Sequence, residues 1–153
     1  MKRTKKVGES KIRNATKITQ DGLEFKSKLE LFTYNELLKA GINDFKYEET
    51  KFQLLEPFEH SFNSYEVKKD KSFDTVTNKI RAVTYLPDFT RIDDLGNGWI
   101  IECKGYPNES FTLKWKWFKQ HLMENDYTVD LYKPNNHTNV LKTITLIKEK
   151  YYA

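Results

Sequence analysis

The sequence has one cysteine, two methionines, four prolines and six glycines among 153 residues. The lone Cys103 excludes an internal disulfide and any zinc site built on cysteines. Three scattered histidines, His60, His121 and His137, have no metal-ligand spacing and read as surface or satisfied core residues. No apolar run approaches the ~18 residues a membrane span needs, so no membrane partner is expected. No apolar segment of the signal-peptide kind opens the chain, so a cytoplasmic location is expected, in a host cell if the gene is viral. There is no internal repeat, and nothing calls for a small-molecule cofactor.

Aromatic residues are plentiful, at 14%, and charged residues make up 31%. Ten Phe, nine Tyr and three Trp can fill one compact core at this length. Charge is unevenly spread. Residues 1–17 hold Lys2, Arg3, Lys5, Lys6, Lys11, Arg13 and Lys17 against Glu9, which is +6 of a total of +4, leaving the remainder slightly acidic. Residues 1–16 are therefore read as a basic, flexible arm and 17–153 as a single domain. Such an arm suits a polyanionic partner, although a merely solvated tail has the same composition.

Asp21-Gly22 lies between Lys17–Thr19 and Leu23–Phe25 and predicts a short hairpin. Ser27 and Glu30 form a Ser-x-x-Glu capping box for a helix running to Ala40, with Gly41 just past its end. Phe45 to Leu55 looks extended. Residues 56–79 read as a loop or a polar excursion with room for a short strand. Arg81–Phe89 and Trp99–Lys104 are predicted to pair as a hairpin around an Asp93–Gly98 turn, whose aspartates read as turn formers. Phe111, Trp115, Phe118 and Leu122 have helical spacing; Thr128–Tyr132 reads as a strand, and Asn136–Tyr151 as a helix. The order predicts an α/β domain with a central mixed sheet flanked by helices.

Chemistry concentrates on the hairpin. Pro87-Asp88 sits at the end of one predicted strand and Glu102-Cys103-Lys104 on the next. Alternation puts Glu102 and Lys104 on one face and Cys103 on the other, and pairing brings Asp88 near Glu102. Two carboxylates with one lysine suit Mg²⁺, which needs few protein ligands, and Mn²⁺ would substitute. Such a site activates water for attack on a phosphodiester, with Lys104 orienting the water or stabilising developing charge. Asp88, Glu102 and the Cys103 backbone carbonyl are the expected metal ligands; the Cys103 side chain reads as core.

These residues resemble the PD-(D/E)xK nuclease superfamily, in Tyr85-Leu86-Pro87-Asp88-Phe89 followed by Trp99-Ile100-Ile101-Glu102-Cys103-Lys104-Gly105. Phe25–Glu30 and Phe45–Glu49 are similar to segments of phage endonuclease I, a four-way-junction resolvase, and Asp21 to Glu30 also resembles a phage and prophage family of the superfamily. The resemblance covers roughly residues 20–132. It implies a restriction-endonuclease-like core, Mg²⁺-dependent DNA cleavage, branched DNA as substrate and a homodimer. Transposon-end endonucleases share the early Glu, the Pro-Asp and the Glu-x-Lys, which leaves open a site-specific enzyme needing partner proteins. The stretch near residues 55–80 is longer than in the resolvases, where this region links exchanging subunits, so that dimer arrangement does not carry over directly.

Glu30 is the fourth catalytic candidate. Tyr34, Leu37 and Leu38 define the helix's apolar face, and Glu30 falls on it, whereas Glu36 points away to solvent. An unpaired carboxylate there is costly unless a cation compensates it; the alternative is a plain capping role. Glu24 competes for the same place. For DNA contact the candidates are Lys2, Arg3, Lys5 and Lys6 of the arm, with Lys114 and Lys116 on the helix after the Glu-x-Lys. Two other classes remain open: a nucleic-acid-binding module without catalysis, and an interaction domain whose charges form ordinary ion pairs such as Asp88–Lys104.

Overall fold

A computed structural model describes residues 17–153; the arm residues Lys2, Arg3, Lys5 and Lys6 lie outside that range. In chain order come β1 (Ile18–Gln20), β2 (Leu23–Phe25), α1 (Lys28–Lys39), β3 (Lys46–Tyr47), β4 (Phe52–Leu55), β5 (Phe58–Glu59), β6 (Tyr65–Val67) and β7 (Phe73–Thr75). These are followed by β8 (Lys79–Ile80), β9 (Val83–Tyr85), β10 (Phe89–Ile92), β11 (Asn97–Ile101), α2 (Glu109–Glu124), β12 (Thr128–Tyr132) and α3 (His137–Tyr151).

The central sheet has the order β12-β11-β10-β3, with β11 and β12 parallel and the other pairs antiparallel. It is the mixed α/β sheet the sequence predicts. Alternation along β11 divides the core. Trp99 and Ile101 join Leu37 of α1 and Val140, Ile144 and Ile147 of α3 on one face. Ile100 joins Phe111, Trp115, Phe118 and Leu122 of α2 on the other. Burying both faces is what a parallel pair with a helical crossover requires.

Local signals explain the boundaries. The turn between β1 and β2 places Asp21 and Gly22 at φ 52° and 75°, the left-handed pair of a type I′ hairpin. The Ser27 side chain accepts from the Glu30 N–H at the start of α1. At its end Gly41 N–H donates to Leu38 O and Ile42 N–H to Leu37 O, both at 3.0 Å, the double bond of a Schellman motif. Leu38, placed by sequence on the apolar face, is exposed; Tyr34 and Leu37 carry that face. Glu36 does not lie free in solvent but is half-buried and paired with Lys39.

Three stretches differ from the sequence reading. The extended segment 45–55 is two strands, broken where Glu48 takes φ 47°. The Arg81–Phe89 strand is likewise two, β9 and β10, parted at Leu86-Pro87-Asp88, where the chain passes from one pairing to another. The hairpin on β11 is therefore made by Phe89–Ile92, and Asp88 precedes a strand rather than ending one. Its turn is also shorter than Asp93–Gly98, since Asn97 and Gly98 already belong to β11; Asp93 caps it by accepting from Leu95 and Asn97 N–H groups at 2.9 Å. Residues 56–79 are the polar excursion rather than the loop, and hold more strand than the one short piece expected. Nested antiparallel pairs β4·β9, β5·β8 and β6·β7 build a two-stranded ribbon that leads away from the core.

Candidate metal centre

Asp88 stands one residue before β10, and Glu102 one residue after β11, so the pairing Phe89↔Ile101 sets them side by side. Past the end of β11 the parallel ladder continues, with Glu102 N–H donating to Tyr132 O and Lys104 N–H to Pro134 O. That continuation holds the Glu-Cys-Lys segment straight. Cys103 turns to the α1 side, its thiol 3.3 Å from the Thr33 hydroxyl, as a buried core residue. Its N–H donates to Asp88 Oδ2 at 2.6 Å, so the carboxylate is pinned by backbone.

Glu30 arrives from α1 and is buried. Its Oε2 accepts from the Tyr47 hydroxyl at 2.6 Å and from Lys26 N–H at 3.2 Å, and its Oε1 from the Ser27 hydroxyl at 2.9 Å. Glu30 faces inward and also ties the helix start, although its oxygen takes the Lys26 N–H rather than the Ser27 N–H of a strict capping box. Glu24 is exposed and paired with Lys17, so it does not compete.

Glu48 completes the group, and the sequence reading missed it. Its N–H donates to Asp88 O at 2.8 Å, extending the β3·β10 pairing, and its left-handed backbone turns the side chain inward. One oxygen each from Glu30, Glu48 and Asp88 lies within 4.8 Å of the others, a spacing that could hold a metal ion. Lys26 is ion-paired with Glu48, and that bond, against some burial, raises the Lys26 pKa. Two signals pointed at it, its place in a charged run within the extended Phe45–Leu55 segment and its inclusion in the Phe45–Glu49 stretch that resembles the resolvases.

The electrostatics follow from burial. Desolvation, then the charges of Glu102 and Glu30, push the Asp88 carboxyl well above the carboxylate range, against the hydrogen bond from Cys103. Desolvation also raises Glu102, opposed by nearby Tyr85 and by the Lys104 charge. The Tyr85 hydroxyl faces Glu102 but neither it nor Glu102 Oε2 makes a hydrogen bond of good geometry. Glu102 Oε2 is thus a buried acceptor whose facing donor, the Tyr85 hydroxyl, is poorly aligned. Among the described residues, none of Glu30, Asp88 and Glu102 makes an ion pair, so the expected alternative of an Asp88–Lys104 bridge is not found. Lys104 Nζ instead lies over the Phe111 ring, 4.8 Å from its centroid.

An open cleft of about 1200 Å³ reaches the cluster at Glu30 and Lys104. Its walls include Lys28 and the first residues of both α1 and α3. Lys114 and Lys116 do not line it; Lys116 is exposed on the outward side of α2, beside Leu113, Trp117 and Gln120.

Fold and site together define a mixed α/β domain with an oxygen-rich acidic cluster where the ends of its central strands meet a cleft. The chain belongs to DUF1064, a family described as proteins of unknown function, whose pattern matches residues 9–136. All five cluster residues, Glu30, Glu48, Asp88, Glu102 and Lys104, fall within that match. No curated protein and no solved structure matches the chain.

Proposed function

We propose that this protein is a divalent-metal-dependent DNA endonuclease of the PD-(D/E)xK kind, acting on branched DNA such as a four-way junction. The observation that carries the reading is three buried carboxylates, Glu30, Asp88 and Glu102, gathered without an ion-pair partner beside a lysine. Burying such charges uncompensated costs several kcal/mol, so their convergence fits a site that is compensated by something bound.

The donors are all carboxylate oxygens, the hard ligands that Mg²⁺ and Mn²⁺ prefer. Glu102 Oε2, buried and poorly served by the Tyr85 hydroxyl, fits the same cation. Asp88, Glu30 and Glu48 would hold it, with Glu102 and the Cys103 carbonyl as the alternative ligands to Glu30 and Glu48. When bound, the ion would neutralise charge on the scissile phosphate and acidify a water. The chain's own residues do the rest. Cys103 N–H fixes one Asp88 oxygen and leaves the other free to bind. Tyr47 and Ser27 fix Glu30 so that it cannot swing into solvent. Lys104, at the cleft wall, would set its positive charge beside the attacking water and the phosphate oxygens on which negative charge builds.

The test is incubation of labelled four-way junction, nicked duplex, linear duplex and single-stranded DNA with and without Mg²⁺. Cleavage is expected with metal only, and Asp88→Asn or Glu102→Gln should lose it while binding is largely kept. Full activity in either variant, or in excess chelator, would sink the assignment. Binding without cleavage of any substrate would point instead to a partner-dependent enzyme or a non-catalytic binding module.

A further inference from the structure

Three lysines lie over two stacked rings of α2. The rings are Phe111 and Trp115, with centroids 5.9 Å apart and 22° between their planes. Lys104 Nζ lies 4.8 Å from the Phe111 centroid and Lys133 Nζ 5.7 Å from it. Lys133 Nζ is also 5.6 Å from the Trp115 centroid, and Lys119 Nζ is 5.7 Å from that ring. The order along the rings is therefore Lys104, Lys133, Lys119. Ile100 of β11 and Val129 and Leu131 of β12 pack on the α2 side of the sheet. Alternation sends Lys104 and Lys133 to that same side. Lys119 follows Trp115 by four residues and so lies beside it on the helix.

An anion is what this row lacks. The rings attract the ammonium groups and the lysine stems cover the ring faces, but neither supplies a negative charge. Lys119 and Lys133 are exposed, and none of the three makes an ion pair among the described residues. Their surroundings do not balance them. Residues 104–119 and 133–139 hold Lys104, Lys114, Lys116, Lys119 and Lys133 against Glu109 alone. Glu124 and Asp126 lie at the far end of α2, where Glu124 accepts from Gln120. The Glu102 charge does act on Lys104, but Glu102 belongs to the acidic cluster, and Lys133 and Lys119 continue the row along α2.

We infer that Lys104, Lys133 and Lys119 form a track for the DNA backbone, holding the phosphates on one side of the scissile bond and leading that strand along α2. The inference rests on the nuclease reading above and says where its substrate lies. Ammonium groups bind phosphates as point charges and fix a strand's position without reading its sequence. From Lys104 to Lys119 is at most about 16 Å, or four to five phosphates of one strand at ~3.4 Å each along the duplex. One short run of backbone therefore meets all three. Lys104 also lines the cleft, so the track ends where the phosphate to be cut would meet the cluster.

The experiment titrates a labelled four-way junction and a linear duplex by fluorescence anisotropy across salt, in excess chelator so that nothing is cut. Lys119→Met/Lys133→Met removes both charges and keeps both stems over the rings. It should bind more weakly, with a salt slope shallower by up to ~1.8, or ~0.9 for each lost phosphate contact. Lys119→Arg/Lys133→Arg should keep the wild-type slope. Lys142→Met/Lys148→Met removes the same charge from exposed positions of α3, which packs on the opposite face of the sheet, and should keep it too. An unchanged slope in the first variant overturns the track, as does an equal loss in the arginine variant or in the α3 variant. In each of those cases wild type still binds DNA, and the nuclease reading stands. A wild type that binds neither substrate removes both.

Discussion

Glu48 decides between two ways of arranging the cation. Its oxygen lies with those of Glu30 and Asp88, whereas sequence spacing alone pointed to Asp88, Glu102 and the Cys103 carbonyl. If the trio binds, Glu48→Gln should weaken Mn²⁺ affinity at least ~10-fold by calorimetry, the scale of losing one ligand's support. An unaltered affinity would leave the Asp88–Glu102 side as the site. Glu48 was illegible because Lys46 to Glu49 reads as a solvated charged run. Only the backbone turn at φ 47° brings its carboxylate inward. Asp88 gives a second expectation, in pH. Unfolded, an aspartate titrates near ~3.9; folded, burial and the charges of Glu102 and Glu30 raise it. A raised carboxyl stabilises the fold fully below the unfolded value, and that contribution is lost as pH rises through the folded one. Asp44 and Asp130 act oppositely. Partial burial is outweighed there by bonds from Tyr152 and Arg91, and from Lys150 and Tyr151, so their contribution is lost only in acid. Metal-free Tm should therefore decline as pH climbs above about 5 toward the folded Asp88 value, with Mg²⁺ or Mn²⁺ opposing the decline. Asp88→Asn should flatten the metal-free curve; a curve identical to wild type would count against a raised Asp88.

Within the β10–β11 hairpin, Gly98 is the position that cannot change. A Cβ added there would lie 1.9 Å from Arg91 O, a backbone atom with nowhere to go, at φ 156°. Gly98→Ala should cost more than about 2 kcal/mol, a Tm drop of roughly 5 °C or more at this chain length. Scanning calorimetry would show it, and a wild-type Tm would mean the hairpin flexes more than its pairing suggests. Because this hairpin aligns Asp88 with Glu102, activity should fall further than stability. The hairpin also shows where pattern reading succeeds and fails. Helices α2 and α3 were legible because each buries one face, so apolar spacing reports the period directly; β12 is at most half-buried and was legible as a short alternating run of strand formers. The break at Pro87-Asp88 was not, since β-branched and aromatic residues run across it from Val83 to Thr90. The ribbon was missed for the opposite reason. Its Tyr65-Glu66-Val67 and Phe73-Asp74-Thr75 do alternate, but amid Pro57, serines and lysines that signal a loop, and no core lies beneath them to be matched.

At the scale of the molecule, charge is laid out in three zones: a basic arm at residues 1–16, a slightly acidic remainder, and within it a ribbon tip rich in lysine. The acidic cluster draws on both sides of that ribbon. Glu30 and Glu48 precede it in the chain, while Asp88, Glu102 and Lys104 follow it. The tip between Lys69 and Asp70 is exposed, the kind of place where chains tolerate a cut. A polypeptide ending at Lys69 and another beginning at Asp70 would each own half of the carboxylates and neither a working centre. On the nuclease reading, neither should cut DNA when expressed apart; mixed, they should regain metal-dependent cleavage as β4 finds β9 and β3 finds β10. On the nuclease reading, the ribbon makes the chain divisible into two parts whose association alone would assemble the active centre.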